Sequence, residues 1–289
     1  MRSRNDWVIW AFLAAGLAVT VAFVLVPVGH AIVLSLQQAD SFISTPRFVG
    51  LANYARVLGE EAFWRAAGNG LIYSGLSIVL QVLLGLGFAM VLNEAFPGQR
   101  LVRGLAVLPY LLPTVVVALT FQWMTDGSFG IVTVLLAELG LGPIPWFERP
   151  DTAMASVVLA SVWLWTPFVT ICVLAGLQGI PLSLYEAARV DGAGAFARFW
   201  HITLPQLRPV LTVVVLLRAI WMFNKFDIIW LLTKGGPLGA TEHLPILAYK
   251  RAFSQFDVGG GAAVATLSFL ILTALVMLYF RLFPLEEKR

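Results

Sequence analysis

Six stretches of this chain stay apolar for about twenty residues or more, and that decides which solvent the fold meets. They lie at about 7–36, 69–93, 104–124, 152–178, 209–232 and 258–283. Roughly 20 apolar residues in a helix cross the hydrocarbon of a bilayer. A helix also satisfies its own backbone hydrogen bonds, which lipid requires. Composition agrees: 59% of the 289 residues are hydrophobic and 12% charged, where a soluble domain carries about 25% charged residues. The expected fold is therefore an all-α polytopic membrane protein, with six transmembrane helices in one domain over 1–289. Arg2 and Arg4 precede the first apolar run as in a secretory signal. The run is too long for that, and no small-residue cleavage site follows, so it reads as an uncleaved first span.

Six spans put both termini on one side. With the N-terminus inside, the inner segments carry Arg2, Arg4, Arg100, Arg103, Arg189, Arg198, Arg208, Arg281, Lys288 and Arg289. The outer segments carry Arg47, Arg56, Arg65, Arg149, Lys234, Lys250 and Arg251. The excess points inward, and the acidic 125–151 loop (Asp126, Glu138, Glu148, Asp151) fits the outside. No basic run suggests nucleic acid. The lone cysteine, Cys172, sits in an apolar segment and reads as a small hydrophobe. Pro109 and Pro113 in span three and Pro167 in span four are set to kink their helices. Gly75, Gly85 and Gly87, and the run Gly259–Gly261, permit close helix contact. These features serve equally a bundle that flexes and ordinary helix packing.

The loop at 179–209, between spans four and five, is too polar to span and long for a turn. Pro181 suits a helix start, and Leu184, Ala187, Ala188 and Val190 give that helix an apolar face. Gly192 and Gly194 bracket a turn, and a second short helix with Phe196, Phe199 and Trp200 is expected to stop near Leu204–Pro205. Exposed aromatics of this kind mark an interaction site. Within the loop, Glu186-Ala187-Ala188 is followed by Gly192 and then by Ile202-Thr203-Leu204-Pro205. This spacing resembles the EAA loop of binding-protein-dependent ABC importer permeases. "FVGLANYARVL" (48–58), "FDIIWLLTKGGP" (226–237) and "AYKRAFSQFDVGGGAA" (248–263) are similar to segments of the carbohydrate-uptake branch.

The resemblance implies that Glu186, Ala187, Ala188, Gly192, Phe196, Ile202, Leu204 and Pro205 seat in a groove of an ATPase subunit. Arg189, Asp191 and Arg198 would then be rim charges. It also implies a second related permease subunit, two cytosolic ATPase subunits and an extracytoplasmic substrate-binding protein. ATP and Mg would be held by the ATPases and no cofactor by this chain. The setting would be the bacterial cytoplasmic (inner) membrane, with both termini cytosolic. The solute would be a carbohydrate, a di- or oligosaccharide. The bland alternative for the loop is a solvated connector.

Span five holds the costliest residues for lipid: Arg218 near mid-depth, with Asn224, Lys225 and Asp227 further out. On one continuous helix Arg218, Trp221 and Lys225 share a face. Asn224 turns to a neighbouring face, and Asp227 points away from both cations and needs another partner. Lys225 and Asp227 either meet the solute or snorkel to the interface. Sugars need hydrogen-bonding groups and flat apolar surfaces. Gln122 with Trp123, Trp163 with Trp165, and Trp221 with Asn224 offer that mixture. Trp7, Trp10 and Trp230 read as an interfacial belt.

A self-contained secondary transporter of a small polar solute is the competing reading. It would want inverted repeats and buried ion-coupling groups, and only Asp227 offers a buried acid. An intramembrane enzyme finds no Ser/His, paired Asp or HExxH arrangement within the spans. No phosphate-loop motif occurs, so ATP would be hydrolysed elsewhere. No catalytic or metal-binding residue is expected on this chain.

Overall fold

The computed structural model describes residues 6–39, 45–142 and 144–284, with side chains from Trp10 onward. Trp7's side chain and Arg2, Arg4, Lys288 and Arg289, used in the charge count, lie outside the described residues. The chain runs α1 (Asp6–Thr20), a π-turn (Val21–Leu25), α2 (Val26–Ser35), β1 (Gln37–Gln38), β2 (Arg47–Phe48), α3 (Ala52–Gly59) and α4 (Glu61–Asn93). Next come α5 (Gln99–Leu111), α6 (Thr114–Met124), α7 (Ile131–Glu138), α8 (Pro150–Gln178) and α9 (Leu182–Val190). The remainder is α10 (Ala195–Arg198), a π-turn (Phe199–Thr203), α11 (Leu204–Phe223), α12 (Asp227–Thr233), α13 (Leu244–Tyr249), a π-turn (Lys250–Ser254) and α14 (Val258–Leu282).

Among the described residues, five helices are long and apolar enough to cross a membrane, and the pair α5 and α6 makes a sixth if taken as one broken span. That all-α polytopic architecture is the one the apolar windows dictate. The third span, where Pro109 and Pro113 are set to kink the helix, does break: it bends by 95° between Leu111 and Thr114. Pro113 disfavours the α conformation at Leu112, which is extended (φ −78°, ψ 138°). The fifth, expected at 209–232, instead forms one helix from Ala195 to Phe223. The second short helix therefore does not stop at Leu204–Pro205. The π-turn lets it run on: Leu204 N–H reaches Phe199 O one residue beyond the α partner. The widened turn accommodates Pro205, whose ring would crowd a regular α turn. Span one repeats the device, with Val26 N–H on Val21 O immediately before Pro27.

The chain forms two compact units, residues 1–64 with 247–270 and residues 65–246 with 271–289. In the first, β1 and β2 pair antiparallel (Gln37 opposite Phe48). Asn53 Nδ2 donates to Ser35 O and Gln37 O, both at 2.9 Å. Arg56 grips both oxygens of Asp257 at 2.8 and 2.9 Å. Asp257 Oδ1 in turn accepts from Gly260 N–H at 3.0 Å, closing the start of α14. Burial raises the Asp257 carboxyl, but Arg56, the Gly260 N–H and Arg251 outweigh it and hold it below the usual carboxylate range. The segments 48–58 and 248–263 are thereby joined.

In the second unit α8 is the hub. Its buried face supplies Val157, Val158, Leu164 and Trp165 to one apolar cluster and Val169, Val173 and Leu177 to another. A Cβ on Gly85 would lie 2.7 Å from Val169, so this glycine does allow close helix approach. Gly75 and Gly87 have nothing within 4 Å of such a Cβ, so no packing among the described residues needs them.

Candidate functional site

The loop between α8 and α11 builds its first helix on local chemistry. Pro181 precedes α9, and Gly192 ends it with φ +79°. Gly192 N–H bonds Arg189 O at 3.0 Å and Ala193 N–H bonds Ala188 O at 2.8 Å. These are the two hydrogen bonds of a Schellman stop, which calls for a left-handed residue just past the helix. Gly194, by contrast, is extended and caps α10.

Glu186 and Ala187 are exposed about a turn inside α9, and Ala188 is half-buried. Val190 (88%) and Phe196 (77%) are left open to solvent. Phe196 and Phe199 both stand edge-on to Trp200, with centroids 6.0 and 5.5 Å away. Tyr185 OH and Thr203 Oγ1, 2.9 Å apart, tie α9 to the π-turn. Ile202 and Leu204 are half-buried, and Pro205 is exposed. The expected docking residues thus share one helix–turn–helix whose second helix runs on through the π-turn into span five.

The membrane-depth residues separate into two groups. Arg218 is 1% exposed. Its Nε donates to Gln81 Oε1 at 2.7 Å, and Nη2 lies 3.3 Å from Met222 Sδ. Trp165, Phe168 and Trp221 surround the guanidinium, with ring centroids 5.8–5.9 Å from Cζ. Such faces attract a desolvated cation. Among the described residues its neighbours are therefore an amide, a thioether and aromatic rings rather than a carboxylate. Beside it Tyr73 OH and Ser161 Oγ are 2.7 Å apart.

The second group is Trp221, Asn224, Lys225 and Asp227, which with Ile220 and Phe226 line an open recess of about 390 Å³. The expectation that Asp227 points away from Lys225 is wrong: Lys225 Nζ lies 3.0 Å from Asp227 Oδ1. The face argument assumed one helix, but α11 ends at Phe223 and α12 starts at Asp227, so the chain turns between them. Lys225 also lies 4.0 Å above the Trp165 ring. Asn224 Nδ2 turns back to Ile220 O at 3.1 Å.

Gln122 and Trp163 lie elsewhere. Both Gln122 amide donor bonds go to α12 carbonyls, Leu231 O at 3.1 Å and Leu232 O at 3.2 Å. Trp163 lines an apolar groove with Leu84, Phe88, Leu105, Pro109 and Pro167. Trp165, two residues on, faces Arg218 instead. Of the belt candidates, Trp10 is exposed, and Trp230 stacks on Phe226 with centroids 5.5 Å apart.

Sequence reasoning missed Gln81, Tyr73, Ser161 and His243. Gln81, in the middle of an apolar span, was the available signal, because an intramembrane amide needs a partner. His243 is 1% exposed, and burial pushes its imidazole down to about 4, against the backbone hydrogen bond to Lys225 that favours protonation. A folded value below the ordinary 6.5 means the unfolded chain binds the extra proton first. The contribution is whole above 6.5 and drains as pH falls toward 4. The integrated loss is at most about 3 kcal/mol. The thermal midpoint of the purified chain should fall across that window, and His243→Gln should flatten the slope. An equal slope in the variant would assign the acid sensitivity to other groups.

Residues 81–284 match the family described as binding-protein-dependent transport system inner membrane component. The trehalose/maltose transport system permease protein MalF of Thermococcus litoralis is 40% identical over 265 residues, 92% of this chain and 90% of that protein. The sulfoquinovosyl glycerol transport system permease protein SmoG of Agrobacterium fabrum is 33% identical, over 98% and 92%. In fold, the chain superposes with a TM-score of 0.82 on a chain of a bacterial ABC transporter involved in the import of the acidic polysaccharide alginate. The identity there is 23%, and 96% of each chain is covered. Spans, loop and relatives converge along nearly the whole chain, and the protein belongs to the binding-protein-dependent inner-membrane components, the permeases of ABC transporters.

Proposed function

We propose that this chain forms half of the solute pathway of an ABC importer for a carbohydrate, a di- or oligosaccharide, beside a second related permease subunit. The observation that carries this reading is the loop with its exposed Glu186, Ala187, Val190 and Phe196. Glu186, Ala187 and Ala188 sit on a short helix stopped by Gly192, and Tyr185 ties that helix to the π-turn of the continuous helix Ala195–Phe223. A force applied to α9 therefore reaches the recess at the far end of α11 through bonded structure. Two cytosolic ATPase subunits would receive the loop and hold ATP and Mg, and an extracytoplasmic binding protein would deliver the sugar. Both termini would be cytosolic, in the cytoplasmic (inner) membrane.

The sugar assignment draws on two supports. The relatives named above are, by their names, permeases for trehalose/maltose and sulfoquinovosyl glycerol. The recess pairs the flat faces of Trp221 and Phe226 with an amide, a cation and a carboxylate. This mixture suits a polyol ring with apolar C–H faces.

Orientation provides the test. A cysteine placed at Asp191 in a Cys172→Ala background should react with an impermeant thiol reagent only after the cytosolic face is opened. One at Ser128 should react in intact cells. Labelling at 191 from outside would remove the loop from the ATPases and overturn the reading.

A further inference from the structure

The break between α11 and α12 is held from outside its own helix. Lys225 N–H turns back to Met222 O at 3.1 Å. The Lys225 carbonyl lies 2.5 Å from His243 Nε2. A carbonyl only accepts, so Nε2 carries the proton. Nδ1 is then the bare nitrogen, buried with no partner among the described residues.

His243 is itself fixed. Its ring meets Tyr73 edge-on, with centroids 6.1 Å apart. The loop leading to it is closed by Asn69 of α4 and by its own threonine hydroxyls. Asn69 Nδ2 donates to Gly239 O and Glu242 O, both at 2.9 Å. The Thr241 hydroxyl donates to Gly236 O at 2.9 Å and lies 2.6 Å from that of Thr233. A buried ring on a closed loop is a rigid arm, and it ends on the carbonyl of Lys225, the middle residue of the break.

We propose that His243 is a positioning residue for the solute pathway: by holding the Lys225 carbonyl it fixes the break that sets Lys225 against Trp165 and Asp227. This rests on the reading of the Trp221–Asp227 recess as part of the pathway. Without the bond the carbonyl is free to seek a helical partner further along the chain. Extending α11 in that way would swing Lys225 off the Trp165 ring and reshape the recess.

The test uses the whole reconstituted importer and two variants. His243→Leu removes the donor, and His243→Gln returns an N–H at similar reach. In His243→Leu, backbone amides at 224–227 should exchange about tenfold faster, as for a buried carbonyl that loses its donor. Uptake of the better-transported of radiolabelled maltose and trehalose should fall about tenfold. His243→Gln should restore most of both. In a Lys225→Met background, His243→Leu should cost uptake little more, because both changes act through one contact.

Unchanged exchange in His243→Leu would overturn the proposal. So would a glutamine variant no better than leucine, or losses that simply multiply with Lys225→Met. Faster exchange with normal uptake would instead overturn the pathway reading on which it rests.

Discussion

Replacing Gly259 by alanine should be among the costliest single methyl additions in the chain. A Cβ at 259 would sit 2.1 Å from Gln37 O and 3.0 Å from Asn53 Nδ2. The first of these is backbone and already engaged: Gln37 pairs with Phe48 in the two-residue ladder and accepts from Asn53. The methyl can be housed only by displacing the ladder, the asparagine or the start of α14. Overpacking of this kind costs about 1–3 kcal/mol. Here a buried amide also loses its carbonyl partner, which adds to that cost. The folded yield and thermal midpoint of Gly259→Ala should drop sharply. Gly75→Ala, with nothing within 4 Å of the new atom, should be neutral in the same assay. A wild-type midpoint for Gly259→Ala would show that 37–39 and the first turn of α14 are not in contact.

The second large effect concerns coupling without loss of the fold. Gly192 is left-handed, and a Cβ there would meet nothing within 4 Å. Gly192→Val therefore acts through the backbone alone. A β-branched residue in that region costs about 1–3 kcal/mol. The cost can be relieved by opening the Schellman stop, which would re-aim 193–200 against α9. Glu186→Ala acts differently, leaving α9 intact and removing an exposed carboxylate. If a basic ATPase residue is desolvated against it, the loss is roughly 2–5 kcal/mol of docking energy. In the reconstituted complex both variants should lose at least tenfold of the ATP hydrolysis stimulated by loaded binding protein. Binding of sugar to that protein should not change. Full stimulation in both would mean that this loop is not the coupling element.

Much of this was legible in the sequence because membrane folding writes in long, low-resolution strokes. Twenty apolar residues announce a span whatever they pack against, and Pro181, Gly192 and the Glu186 triplet announce their loop. The misreadings have a common cause. Apolar residues resume after Asp227, so 209–232 reads as one helix although Asn224, Lys225 and Asp227 interrupt it at the turn. What holds that turn is His243, eighteen residues on from Lys225, and Trp165 from α8. The Lys225–Asp227 pair followed from the same turn and was invisible to a helical wheel. Pro205 looked like a stop because an α-helix would reject it there, and a π-turn is not encoded in any periodicity. Arg218 was legible as costly but not as sealed, since its hydrogen-bond partner, Gln81, belongs to another span.

The central claim is that this chain is one half of an ATP-driven sugar pathway. Uptake into vesicles tests it most directly, with this chain, its paired permease and the ATPase reconstituted together and ATP supplied on the ATPase side. Loaded binding protein is added on the other face. The account predicts that radiolabelled maltose or trehalose accumulates only when all components and ATP are present, and that leaving out this chain abolishes accumulation. Accumulation by this chain alone, driven by an ion gradient and indifferent to ATP, would contradict it.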